Sequence, residues 1–134
     1  MELLIHPVSA PDGIVPAIEA AKVAGAAALN VLAASLLASN RQRIIERTTA
    51  LRLPAIFMWP HYAEEGALMA YGPPQTQVYR QLARMLVKVL RGADPAELPV
   101  EQPTNFELAI NLEAAKAIGL EVPMALLSRA DKVL

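Results

Sequence analysis

The chain has 134 residues, within the ~100–150 typical of one domain, and is 54% hydrophobic but only 4% aromatic, so its core must be aliphatic. Its 12 basic and 13 acidic residues leave a net charge of −1, which argues against a nucleic-acid binder, whose footprint is a basic surface. The absence of cysteine excludes disulfides, thiol catalysis and cysteine zinc sites.

In chain order, Glu2–His6 (ELLIH) is a short apolar run that reads as a strand, and Pro7–Pro11 as a loop. Asp12 is placed to cap a helix from Gly13 to Ala24, with Pro16 tolerated in the first turn, where N–H groups lack helical partners. Ile14, Ile18 and Ala21 share one face of it, and Gly25 is a natural stop. Val23–Ala38 is the longest apolar run, but Gly25, Asn30 and Ser35 interrupt it and it falls short of the ~20 residues of a membrane span. Within it, Ala27–Ala33 reads as a buried strand. Ser39 followed by Gln42 is a capping-box pattern opening a helix from Asn40 to Arg52, with Ile44, Ile45, Thr48 and Leu51 inward. Pro54–Trp59 (PAIFMW) is apolar throughout, as expected of a strand in a parallel sheet covered on both faces.

Strand, helix, strand, helix, strand is the pattern of an α/β domain. Pro60–Glu65 then reads as a turn or short helix, and Ala67–Tyr71 as a further strand, ended by Gly72-Pro73-Pro74. Gln75–Arg91 is strongly amphipathic: Val78, Leu82, Met85, Leu86 and Val89 share one face, and Arg80, Arg84, Lys88 and Arg91 another. Gly92 ends it, and a connector with Pro95, Pro99 and Pro103 follows. Phe106–Ile110 alternates as a strand does, Asn111 is placed to cap a helix Leu112–Ile118 stopped by Gly119, and Pro123 opens a last short segment. The basic helix contrasts with an acidic C-terminal stretch carrying Glu107, Glu113, Glu121 and Asp131; two readings fit, separate solvated faces or surfaces that meet across a subunit interface.

Ligands of open parallel sheets sit beyond the carboxyl ends of the strands. That rule selects Pro7–Asp12, the loop Ala34–Asn40 with Ser35, Ser39 and Asn40, and the turn carrying Trp59, His61 and Tyr62, with Tyr71 at the later strand end. These offer flat apolar walls and a few polar tips, the mixture a planar or amino-acid-like ligand needs. Each also has a plainer role open to it: Ser39 and Asn40 as helix caps, Trp59 and Phe57 as core or interface aromatics, His61 as a surface turn residue. The two histidines lie far apart and in no metal-ligand spacing, and no nucleophile elbow, Walker loop or dinucleotide fingerprint occurs, so neither a cofactor nor enzymatic activity is expected.

The segments RIIERTTALRLPAIFMW, GALMAYGPP, LVKVLRGADPAELPVEQPTNFELAINLEAAKAIGL and VPMALLSRADKVL are collinear over nearly the whole chain with the C-terminal lobe of a known family. On them the chain resembles the ABC-transporter substrate-binding proteins of tryptophan/tyrosine type, with a type I periplasmic-binding-protein fold. The resemblance implies a single three-layer α/β/α lobe over residues 1–134 with a mainly parallel sheet, closing on a small solute, working with an ABC permease and inserting in no membrane. By the same resemblance, residues 67–92 form a lobe-crossing or exchanged segment, and an opposite lobe is needed to complete the cleft. With one lobe's length, the expectation is a homodimer that supplies it; the alternative is a dimeric structural or interaction module without a ligand. The turn MWPHYAEE departs from the family's pattern, so ligand identity does not carry over. The family implies a place outside the cytoplasmic membrane; the start MELLIHPVSAPDG has neither a basic n-region nor a long apolar core, which as a native start would leave the chain in the cytoplasm.

Overall fold

Spacings of three and four residues put Ile14, Ile18 and Ala21 on one helix face, and Ile44, Ile45 and Thr48 on another. In the computed structural model, which describes residues 2–134, both faces are buried. Helix α1 is Ile14–Val23, and α3, Arg41–Ala50, follows a short helix α2, Ser35–Ser39. α1 and α3 lie side by side. Their isoleucines join Leu53, Ala55, Phe57, Tyr62, Ala67 and Ala70 in one apolar core. The buried hydroxyl of Thr48 donates to the Ile44 carbonyl at 2.9 Å, so that face carries no unpaired polar atom at Thr48.

The sheet has five strands in sequence order: β1 Leu29–Val31, β2 Ala55–Phe57, β3 Met69–Gly72, β4 Glu107–Ile110 and β5 Lys132–Val133. β1, β2 and β3 run parallel, with Leu29 opposite Ala55 and Ile56 opposite Met69. β4 returns antiparallel to β3, placing Ala70 opposite Ala109 and Gly72 opposite Glu107, and β5 runs parallel to β4. The expected α/β lobe with a mostly parallel sheet is therefore present. The apolar β2 takes an interior place in it, between β1 and β3, as its composition demands.

Several local expectations are corrected. Glu2–His6 is not a strand: it pairs with no neighbour, and Leu3 and Ile5 stand 77% and 79% exposed. An apolar run needs a ladder partner to become a strand, and none lies beside it. Asp12 does not cap α1; it sits in a 3-10 turn, Pro11–Gly13, and no side chain caps the helix. The Ser39–Gln42 box is not formed either. Ser39 is the last residue of α2, Asn40 gives its amide to the Leu36 carbonyl at 2.8 Å, and the Gln42 amide donates to Glu65 instead. The loop expected over Ala34–Asn40 is mostly α2, and the terminal segment supplies β5 as well as a short helix α6, Met124–Leu127.

Other ends agree with the sequence. Asn111 caps helix α5, Leu112–Ala117, accepting from the Ala114 N–H at 2.8 Å, while its amide donates to the Ala63 carbonyl at 2.8 Å. Gly119 follows that helix with φ +73°, the left-handed stop expected of glycine. At the end of α3 Arg52 takes the same conformation, with φ +47°, so the chain stops there without the glycine that would have announced it.

Between β3 and β4 the chain leaves the sheet. Gly72-Pro73-Pro74 leads into helix α4, Gln75–Leu90, which contains no buried residue. Leu82, Leu86 and Leu90 are 60%, 55% and 76% exposed. The return segment runs through a 3-10 turn, Pro95–Glu97, and ties itself to α4 through Glu101, which accepts from Gln81 at 2.9 Å and lies 3.8 Å from Lys88. This amphipathic helix buries no residue against its own sheet.

Candidate functional site

Two depressions open at the carboxyl ends of the parallel strands. The first, of only about 20 Å³, lies where β1 and β2 end, lined by Val31, Leu32, Leu37, Phe57, Met58 and Trp59 among others. Its apolar walls are continuous with the core, against which Trp59 and Leu37 pack. It has room for little more than a water molecule. The second is open and polar, about 290 Å³, lined by Ala38, Ser39, Arg41, His61, Tyr62 and Gln75. That is close to the ~300 Å³ at which small-molecule clefts begin.

The polar cleft is assembled from three separate stretches. The end of α2 and start of α3 bring Ser39 and Arg41. The 3-10 turn Pro60–Ala63 after β2 brings His61 and Tyr62, and the first residue of α4 brings Gln75. Pro60 at the start of that turn fixes its φ where a free N–H is not needed. Tyr62 is its structural centre. It is 7% exposed, meets Phe57 edge-on at 5.9 Å and His61 edge-on at 4.6 Å, and has the Arg41 guanidinium 5.4 Å above its ring. Burial pushes the Tyr62 hydroxyl above its ordinary value near 10.0, with Arg41 pulling the other way.

Arg41 is not a free cation. Its Nε donates to Glu65 at 2.5 Å and its second terminal nitrogen donates at 3.2 Å, a forked pairing, and Gln42 donates to the same carboxylate at 3.1 Å. These hydrogen bonds, Arg41 first, hold the Glu65 carboxyl below its ordinary 4.5. Glu64 is likewise lowered, first by its bond to Lys132 across to β5. The cleft thus offers a guanidinium already paired with a carboxylate outside its lining, beside a hydroxyl, an imidazole and an amide.

Of the residues selected from sequence, the structure gathers Ser39, His61 and Tyr62 in the polar cleft and Trp59 with Tyr62 in the apolar one. Ser35, Asn40 and Tyr71 line neither. Ser35 is exposed at the start of α2, Asn40 joins α2 to α3, and Tyr71 stands 54% exposed, its ring 5.7 Å from that of Phe106 and tilted 30° to it. Arg41 and Gln75 were not foreseen. Nothing near Arg41 in sequence signals its partner, 24 residues away, and Gln75 joins the cleft only because the proline pair turns α4 toward it. Among the described residues no cluster of His, Asp and Glu could hold a metal ion, and no helix is long and apolar enough to cross a membrane.

The lobe has a mostly parallel sheet and a polar cleft at the carboxyl ends of its strands, where open α/β sheets hold their ligands. Residues 9–134 match the family described as ABC transporter substrate binding protein, and the chain belongs to that family, whose members are binding proteins and not enzymes. Among solved structures, an ABC domain in complex with L-Trp from Streptococcus pneumonia superposes with a TM-score of 0.84 at 23% identity, covering 95% of this chain and 43% of its own. A conserved domain protein from Vibrio cholerae gives 0.85 at 25% identity, covering 93% and 42%. The ligand-free, open structure of a substrate binding protein with adhesive properties from Clostridium difficile gives 0.61 at 23% identity, covering 94% and 42%. No curated protein matches in sequence. The chain therefore spans somewhat over two-fifths of the length of the structures it resembles.

Proposed function

We propose that this chain forms one wall of a solute-binding cleft that closes on a small amino-acid-like or aromatic solute and hands it to an ABC importer. The open polar cleft of Ser39, Arg41, His61, Tyr62 and Gln75 carries this reading. A zwitterionic head group needs donors and acceptors within a few ångströms, and the Arg41 guanidinium, charge-balanced by Glu65, with the neighbouring hydroxyl, imidazole and amide supplies them. The L-Trp complex of the Streptococcus relative supports an amino-acid ligand. No bond is made or broken; the work is capture and closure. The family's place outside the cytoplasmic membrane, beside a permease, is part of the same proposal.

The facing wall, we infer, comes from a second copy of the chain. Two observations support it. The Leu82, Leu86 and Leu90 stripe of α4 is in water, although burying each such side chain is worth roughly 1.5–3 kcal/mol. The helix also carries exposed Arg80, Arg84 and Lys88 and no acid, with Arg91 just beyond it, while residues 92–134 hold seven acidic against three basic residues, a charge difference that suits association.

Titration calorimetry with L-Trp and L-Tyr tests the first statement: binding heat is expected, weakened at least tenfold in His61→Ala and Gln75→Ala. Absence of heat at millimolar ligand from a dimeric chain would leave a structural or interaction module instead. Sedimentation tests the second, with concentration-dependent dimers expected and a monomer at every concentration overturning it.

A further inference from the structure

Gly72 is the last residue of β3, and nothing can be added to it. A Cβ there would lie 1.9 Å from the carbonyl oxygen of Met58 and 3.0 Å from its carbonyl carbon, far inside the closest approach real side chains make. Met58 itself belongs to the apolar depression at the end of β2, beside Trp59. Gly72 leads directly into Pro73-Pro74 and then Gln75, which lines the polar cleft. The residue that follows β2 in the apolar depression and the strand end that leads to the polar cleft therefore meet at a close backbone approach.

What hangs from that contact behaves as one unit. Glu101 ties the return segment to Gln81 and Lys88 of α4. Tyr71 and Phe106 stack where the outgoing and returning strands leave the sheet. The two prolines fix φ at their own positions, which narrows the bending open between Gly72 and α4. No residue of α4 is buried, and Val78, Gln81, Met85 and Val89 are only half-buried, so the root has a large share in setting its direction.

We propose that Gly72 is a positioning residue: its bare α-carbon seats the Met58 carbonyl, and that seat sets the angle at which the arm carrying α4 leaves the sheet over the polar cleft. A side chain at Gly72 would push the root of β3 away from Met58. Along a helix of 16 residues, about 24 Å long, even a slight tilt at the root becomes a displacement of several ångströms at the far end. The proposal rests on the cleft reading only for its functional meaning; the geometry stands without it.

The chain has no cysteine, so spin labels at Glu46→Cys on α3 and Arg84→Cys on α4 report the arm angle by pulsed dipolar spectroscopy, in a sample diluted with unlabelled chain. One narrow distance distribution is expected with Gly72. Gly72→Ala shifts or broadens it by several ångströms, whereas the core truncation Ile44→Ala lowers the melting temperature and leaves the distance unchanged. An unaltered distribution in folded Gly72→Ala, or an equal change in Ile44→Ala, overturns the proposal. Should Gly72→Ala not fold, the wild-type distribution decides: a narrow one is expected of an arm whose root is seated, and a broad one overturns the proposal. No ligand enters the measurement, so its failure leaves the binding proposal intact, and a failed titration with L-Trp leaves the pivot intact.

Discussion

The body of the lobe and the arm that leaves it are built from similar side chains and meet opposite fates. Ile14, Ile44 and Leu53 are 1–2% exposed in the body, while Leu82, Leu86 and Leu90 on α4 are 55–76% exposed. The stripe of α4 is as periodic as that of α1, and its segregation from charge is sharper, since the other face carries Arg80, Arg84 and Lys88. Amphipathicity therefore declares that a helix wants a partner surface, not that the partner is in the same chain. The body finds its partner in the sheet. The arm does not, and its root has a large share in setting its place.

The widest separation between the two regions is expected from truncation of a buried leucine. Leu53→Ala removes a side chain 1% exposed, between α3 and β2, and should cost about 2–5 kcal/mol in urea unfolding because the cavity cannot collapse. A loss under about 1 kcal/mol would mean that the body is as loosely held as the arm, and the contrast would fail.

A second test concerns the joint between the sheet and α5. Asn111 satisfies the Ala114 N–H and the Ala63 carbonyl at once, so it fastens the helix to the turn that carries His61 and Tyr62. Asn111→Ala should cost about 1–3 kcal/mol, the loss of a cap plus a carbonyl left without its donor. It should also loosen that turn, seen as faster amide exchange at Tyr62 and Ala63 than in the wild type. Unchanged exchange there would confine the role of Asn111 to its own helix.

Acid sharpens the comparison at the cleft. Glu65 is held below 4.5 chiefly by its hydrogen bond to Arg41. An acid whose folded value is depressed adds stability that is fully present above the unfolded value and disappears as pH falls through the folded one. Stability should therefore drop below about pH 4.5, and Arg41→Met should remove that part of the acid dependence while leaving the neutral-pH fold in place. The pair is partly exposed, so the effect is set at under about 1 kcal/mol. An identical acid profile in Arg41→Met would show that the pair contributes nothing to folding.

How far these regions were legible follows the same division. Helix faces were readable because local spacing dictates them: Ile14, Ile18 and Ala21, then Ile44, Ile45 and Thr48, are buried as the period demands. The Asn111 cap was readable because its partner lies three residues on. What depended on distant neighbours was not. The ELLIH run looks like a strand yet finds no ladder, β5 exists only because β4 lies beside it, and Ser39 closes α2 when its spacing to Gln42 promised a cap. At the site, Trp59, His61 and Tyr62 were legible together because they are adjacent in sequence. Arg41 and Gln75 were not, since one is delivered by pairing with Glu65 and the other by the direction of the arm.

The smallest expected effect bears most directly on the arm. In a monomer, Leu86 is already 55% exposed, so Leu86→Lys should change the unfolding free energy by no more than about 0.5 kcal/mol. If a second copy covers the stripe, the same substitution places a charge in an apolar contact and should shift the sedimenting species to monomer, with the far-ultraviolet spectrum unchanged. The paired measurement separates the two ways an exposed leucine can arise. A silent stability together with lost association locates the partner of α4 on another molecule. A stability loss of 2 kcal/mol or more would instead mean that the arm packs within its own protomer in solution, and the division between a self-sufficient body and a dependent arm would be wrong.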